Sequence, residues 1–247
     1  MKKMSSKALS LLFGVLLSAG CSVKEYRESC PCRLVLDFSE TDTVAVRSAD
    51  LYVTVPDGYV FTDHVGPEFF RKGYSVYVPR TWLYVTLSFG AENMASSEGM
   101  KIPLGEECPP VYMHSSYIDA DCEMWSEIVR MRKNHCIMTI QVETEKDFPF
   151  KLEAKGSVDG YELGGMPSVG DFMYAMYVDE DGECRLTLPR QTDSSLTLEV
   201  ADGTQVLKCF ALGEYVQASG YDWRADELKD ITVTLDYSLT SVKIAVA

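Results

Sequence analysis

The chain has 247 residues, 46% hydrophobic and 24% charged, with a formal net charge of −14. That hydrophobic content excludes a disordered chain. An acidic balance without any basic stretch speaks against a nucleic-acid partner.

The first seven residues carry three lysines and no acid, and residues 8–17 form an apolar run. Ser18, Ala19, Gly20 and Cys21 follow. A positive start, a short apolar middle and small residues at the exit describe a secretory signal over residues 1–20. The run is too short to span a bilayer, which takes about 20 residues. Cys21 after the small residues resembles the bacterial lipobox, in which cleavage between Gly20 and Cys21 leaves an acylated cysteine as the new N-terminus. A plain secretory signal followed by an ordinary cysteine is the alternative. Each buried methylene is worth about 0.8 kcal/mol, so several acyl chains would hold the protein almost permanently. Losing Lys2, Lys3 and Lys7 moves the net charge from −14 to −17. An anionic membrane would repel such a chain, so the lipid would do the holding.

Eight cysteines are many for a reducing compartment and ordinary for an exported protein. With Cys21 acylated, Cys30, Cys32, Cys108, Cys122, Cys136, Cys184 and Cys209 remain, an odd number whose pairing the sequence leaves open. Cys30-Pro31-Cys32 lacks the two intervening residues of a redox motif. His64, His114 and His135 are scattered, and no second cysteine pair has ligand spacing, so no metal site is expected.

Residues 21–32 read as a tether. From residue 33 the chain reads as β structure. Residues 33–38 alternate apolar and polar with period two. Strands at 51–55 and 59–61 flank Pro56-Asp57-Gly58, a hairpin signal. Residues 74–78 and 82–89 read as two more strands. Residues 90–115 have no clear period and read as a long irregular loop, and the character of the chain breaks near residue 128.

In the second half, residues 135–142 read as a strand, and the five glycines between 155 and 170 read as loop. Residues 172–178 and 184–188 bracket Asp179-Glu180-Asp181-Gly182. In an EF-hand register Tyr177 would stand where the first Asp belongs, so a hairpin turn with exposed acids is expected rather than a calcium loop. Residues 195–200 and 205–210 bracket a third turn at Asp202-Gly203. Leu212, Tyr215 and Val216 have helical spacing, ended by Gly220. Asp226-Glu227-Leu228 reads as a turn of helix or an acidic turn, and 231–237 and 242–246 as closing strands. Many short strands with frequent turns predict an all-β chain of two β-sandwiches, over residues 33–128 and 129–247.

Residues 210–223, ending in Gly220-Tyr221-Asp222-Trp223, lead into Asp226-Glu227-Leu228-Lys229-Asp230-Ile231 and Leu235-Asp236-Tyr237. This segment resembles the C-terminal signature of the fimbrillin-associated anchor lipoproteins of type V pili. Cys30-Pro31 with Leu34-Val35-Leu36, Ala49 to Val53 with Asp57-Gly58, and Met131-Arg132-Lys133 running into Ile137 to Ile140 extend the resemblance over nearly all of residues 21–247. It implies two transthyretin-like β-sandwich domains in tandem. It also implies an outer-membrane, surface-exposed lipoprotein that holds a pilus stalk subunit, with no cofactor and no small-molecule substrate. Lys24-Glu25 weakly resembles a surface-export signal. In such pili one subunit's C-terminal strand fills a groove in the next. Val242, Ile244 and Val246, sharing one face of the last strand, are the candidate partner-binding residues, with completion of the chain's own sandwich as the alternative.

No Gly-x-Ser-x-Gly elbow, phosphate-binding loop or His-Glu-x-x-His helix occurs, so no catalytic residue is expected. A carbohydrate-binding surface lipoprotein is the alternative, with Tyr221 and Trp223, or Trp82 and Tyr84, as a platform. Burial of Trp223 as a packing residue would argue against the first of these. A stalk or tip pilus subunit is a third reading and requires proteolysis at Arg27, Arg33 or Arg47.

Overall fold

A computed structural model describes residues 30–55, 58, 60–91, 95–96, 99–144, 148–238 and 241–246. Gly20 and Cys21, most of the tether, and Pro56, Asp57 and Tyr59 of the first turn lie outside the described residues. The regular structure among the described residues is almost all β, with four sheets around two hydrophobic cores.

The first core lies between two sheets. The smaller has the order β4 (Tyr74–Val78), β1 (Cys32–Asp37), β9 (Met124–Ile128). The larger runs β10 (Arg132–Lys133), β8 (Tyr112–Asp119), β5 (Trp82–Phe89), β2 (Ala49–Thr54), β3 (Val60–Val65). Period-two patterning drives this arrangement: Leu34 and Leu36 from one sheet and Leu51, Val53, Leu83 and Val85 from the other are all fully buried in one cluster. A short helix, α1 (Pro67–Lys72), joins β3 to β4. Pro67 opens it, Glu68 lies in its first turn, and Arg71 and Lys72 in its last, all in keeping with the helix dipole.

The second core lies between the sheet β14 (Glu183–Pro189), β11 (His135–Glu143), β17 (Ile231–Asp236), β18 (Ser241–Val246) and a larger one. In the larger sheet β12 (Lys151–Glu162) is central. It pairs along one edge with β13 (Pro167–Tyr177) and along the other with both β15 (Thr197–Asp202) and β7 (Gly99–Lys101). Outside these lie β16 (Gln205–Phe210), paired with β15, and β6 (Ala95–Ser96), paired with β7. Helix α2 (Leu212–Ala218) follows β16, where helical spacing predicts it, and Gly220 beyond it has φ +82°.

The two halves repeat one topology without repeating a sequence. β1 pairs antiparallel with β4 and parallel with β9, and β11 pairs antiparallel with β14 and parallel with β17. β2 lies between β3 and β5, and β5 pairs β8. In the same way β12 lies between β13 and β15, and β15 pairs β16. β18 is an addition to this pattern, the strand beyond β17 that has no equivalent beyond β9 among the described residues.

Three sequence expectations change. Residues 90–115 are not one loop: β6, β7 and the start of β8 lie there, and Met100, Ile102, Cys108 and Val111 pack into the second core. Residues 155–162 belong to β12 and 167–170 to β13 rather than to a loop. Their glycines allow close approach. Gly99 (φ +117°) and Gly160 (φ +150°) lie where β7 meets β12, and a Cβ on Gly160 would sit 2.0 Å from the Met100 carbonyl oxygen. Asp179-Glu180-Asp181-Gly182 is a turn, but it joins strands of different sheets, so it is a corner and not a hairpin. Asp179 Oδ1 accepts from the Asp181 and Glu183 amides, and no group of three metal-ligating side chains occurs among the described residues. Asp226 and Glu227 form bends, in keeping with the acidic turn that is one of the two expectations there and not with a turn of helix.

Candidate partner-binding site

β18 carries the candidate partner-binding residues. It pairs antiparallel with β17 over its whole length, placing Val242, Ile244 and Val246 opposite Leu235, Val233 and Ile231. Those three partners are buried, so the apolar row of β18 continues the inward face of its own sheet. Val242 and Ile244 are half-buried against the second core, while Val246 is 40% exposed. Lys243 and Ala245 are exposed. β18 ends the order of its sheet, so its outer edge carries no strand among the described residues.

The Gly-Tyr-Asp-Trp segment closes a cleft of about 930 Å³ at one end of the second half. Tyr221 is buried, and its hydroxyl donates to the Lys229 carbonyl at 2.7 Å. Trp223 is half-buried against the core, edge to face with Tyr221 at 4.7 Å between centroids. The organising group is Arg190, just past β14. It donates to the carbonyls of Trp223 and of Ala225 (2.7 Å), and through Nε and a terminal nitrogen to Asn134 Oδ1 at 3.1 and 2.8 Å. The Arg190 amide donates to the Tyr161 hydroxyl at 2.8 Å, and that buried hydroxyl donates to the Asn134 carbonyl. Burial lowers the Arg190 pKa, while the acids and phenols around it pull the other way. Arg132 pairs with Asp226 on the rim. The sequence carries no signal for Arg190, Asn134 or Tyr161. They come from three separate strands or strand ends and form no local motif.

Trp82 and Tyr84 are exposed on the outer face of the five-stranded sheet, 48% and 42%. Tyr117, 51% exposed, comes across from β8 and stacks on both. The centroids are 5.0 Å apart with planes at 22° for Trp82, and 4.5 Å apart at 34° for Tyr84. Tyr117 therefore has both neighbours against its ring, and the three aromatics share part of their ring faces with one another. A sugar platform needs an open face, so this ladder is a poorer platform than the sequence suggests.

One further cluster lies under the first half. His114 Nε2 is 3.2 Å from Glu127 Oε1, both largely buried, and Trp125 Nε1 donates to Glu127 at 3.1 Å. Burial pushes the Glu127 carboxyl up, but His114, Trp125 and Ser116 outweigh it and hold the pKa below the usual value. His135 is buried with Nδ1 3.0 Å from the Val111 carbonyl, and burial lowers its pKa.

The sequence matches no protein-family profile and no curated protein. Solved structures share its fold. A proposed polysaccharide-binding protein from Bacteroides thetaiotaomicron VPI-5482 has a TM-score of 0.65 at 14% identity, covering 87% of this chain and 95% of that one. The fimbrial anchor protein Mfa2 from Porphyromonas gingivalis has a TM-score of 0.62 at 12% identity, covering 87% and 96%. A proposed adhesin from Bacteroides ovatus has a TM-score of 0.60 at 14% identity, covering 88% and 92%. At these identities the likeness establishes a common fold that spans nearly the full length of each protein.

Proposed function

We propose that the chain is an outer-membrane lipoprotein that anchors a type V pilus at the cell surface, built from two transthyretin-like sandwiches in tandem. The observation that carries this reading is the place of β1. It begins at Cys32, so only a short tether separates it from Cys21, and it lies in the middle of its sheet. Leu34 and Leu36 are fully buried there. Arg33 lies within β1 and the exposed Arg47 between β1 and β2, so cutting after either would break up or remove a central strand, while Arg27 lies outside the described residues. With β1 in place the first core is closed between its two sheets, as suits an anchor that keeps its own first strand. The repeated topology adds support, because β18 lies outside the pattern and ends its sheet, with an outer edge that carries no strand among the described residues. The fold shared with Mfa2, a fimbrial anchor protein, points the same way.

The test is the N-terminus of the protein on the cell. Mass spectrometry of the membrane-extracted chain should find residue 21 acylated and β1 retained. A surface form beginning at residue 48 would instead mark a stalk subunit. Cys21→Ala should release both the protein and its pili into the medium.

A second reading, a glycan-binding surface lipoprotein, is favoured by the cleft at Trp223, whose lining combines an indole with Asn134, Gln191, Asp193, Arg190 and Gln217. The proposed polysaccharide-binding protein of the same fold fits that reading. Glycan binding that is lost in Trp223→Ala while pili stay attached would favour it over the anchor.

A further inference from the structure

Cys32 and Cys122 are ninety positions apart in sequence, and their sulfurs are 3.8 Å apart. Cys32 opens β1 and is fully buried. Cys122 lies in the corner between β8 and β9, half-buried, with its thiol 3.3 Å from the Met124 carbonyl. The main chain fixes the pair on both sides. The Arg33 amide donates to the Glu123 carbonyl at 3.0 Å, the Cys122 amide donates to the Ala120 carbonyl at 2.7 Å, and β1 then runs parallel to β9 from Arg33 opposite Met124. The segments carrying the two thiols are therefore already neighbours, and small rotations about the two Cα–Cβ bonds separate the van der Waals contact from a covalent bond.

We propose that Cys32 and Cys122 form a disulfide that staples the first strand to the β8–β9 corner in the exported protein. The proposal rests on the export reading, because an oxidising compartment is where such a bond persists. The oxidant is a disulfide of a thiol–disulfide exchange protein or of glutathione. The more accessible Cys122, as thiolate, attacks one sulfur of that donor, and the other donor sulfur leaves as a thiolate. Cys32 then gives up its proton and attacks Cys122 Sγ, displacing the second donor sulfur. Two protein thiols become one disulfide, and two electrons and two protons pass to the donor. Arg80 bears on the second step. Its Nε is buried without a hydrogen-bond partner among the described residues, and its charge favours the Cys32 thiolate against the burial and the Cys122 neighbour that push the thiol up to about 11.

The remaining thiols fit this pairing. Cys30 and Cys209 are exposed, and Cys108, Cys136 and Cys184 are buried in the second core, away from Cys32 and Cys122 of the first half. Cys30, two positions from Cys32, is the competitor that an experiment has to separate.

The full chain is expressed with its own leader, trapped with N-ethylmaleimide on lysis, and digested with trypsin without reduction. The expected result is a cross-link between the peptide of residues 28–33 and that of residues 102–130. It should survive in Cys30→Ser and in Cys108→Ser and vanish in Cys122→Ser. Reduction of the wild type should lower the melting temperature by about 10 °C, and the Cys122→Ser variant should show no such response to reductant. A cross-link that vanishes in Cys30→Ser or Cys108→Ser, or free thiols at both positions in cells, overturns the proposal. Oxidation of the purified protein with glutathione disulfide then locates the fault. A cross-link formed there but absent in cells indicts the export reading, and its absence in both indicts the geometry. The trapped wild-type chain reads the bond even where a variant fails to fold.

Discussion

The guanidinium of Arg190 donates to the main-chain carbonyl of Trp223, so a side chain just past β14 holds the loop that closes the cleft of about 930 Å³. The same group binds Ala225 and Asn134. Arg190→Ala would leave several acceptors short of a donor in a half-buried setting. A loss of about 2–4 kcal/mol is expected, read as a lower denaturation midpoint. Arg190→Lys should recover little of it, because an ammonium lacks the planar fork that reaches Asn134 and both carbonyls together.

Trp223→Ala should destabilise the second half by about 2 kcal/mol, less than the roughly 3–5 kcal/mol typical of a fully buried aromatic. The indole is only half-buried, with one edge against Tyr221. Thermal unfolding measures this directly, and glycan arrays on the same variant separate packing from recognition.

Deleting residues 241–247 should lower the stability of the second half, since Val242 and Ile244 pack on its core and Ile231, Val233 and Leu235 would lose their neighbours. Val246→Lys is the cleaner probe. Val246 is exposed, so the variant should melt like the wild type while a donated strand would grip its partner less well. Pilus retention measured beside the melting curve distinguishes the two roles of β18.

Acid should weaken the fold in two steps. His135 has a lowered folded pKa, so its contribution is complete above the unfolded value of about 6.5 and is lost as pH falls through the folded one. Glu127 has a lowered folded pKa as well, so its contribution is present above about 4.3 and is lost at lower pH. His135→Asn should flatten the stability profile just below neutrality, and Glu127→Gln should flatten it in the acid range. Denaturant titrations across pH 3–8 would show both.

Gly160→Ala should be destabilising by about 2 kcal/mol or more, because backbone and not a flexible side chain stands in the way. Circular dichroism with a melting curve reads the loss.

Strands such as β1, β4 and β17 are legible in the sequence because one face is apolar and the alternation is regular. β12 is not, because Gly156 and Gly160 look like loop residues when read alone. In the fold they make room for Gln191 Oε1 and for the Met100 carbonyl. β8 hides for another reason: His114 on its inner side meets Glu127, while Tyr117 stands outside in the aromatic ladder, so polarity runs against the usual sense. The position of Val242, Ile244 and Val246 on one face follows from period two alone. The Arg190 knot does not, because its members meet only after two sheets close. The topological repeat is equally silent in the sequence, since it is carried by pairing and not by residue identity.

β1 has a mechanical consequence. Tension applied through the residues before Cys30 enters the fold along the axis of this strand. Neighbours bond β1 on both sides, antiparallel β4 and parallel β9. A pull along the axis therefore shears the bonds of both ladders together instead of opening them one after another. β1 is thus in the geometry that resists rupture best, and under load the first half should yield later than a hairpin such as β15–β16, whose bonds peel from one end.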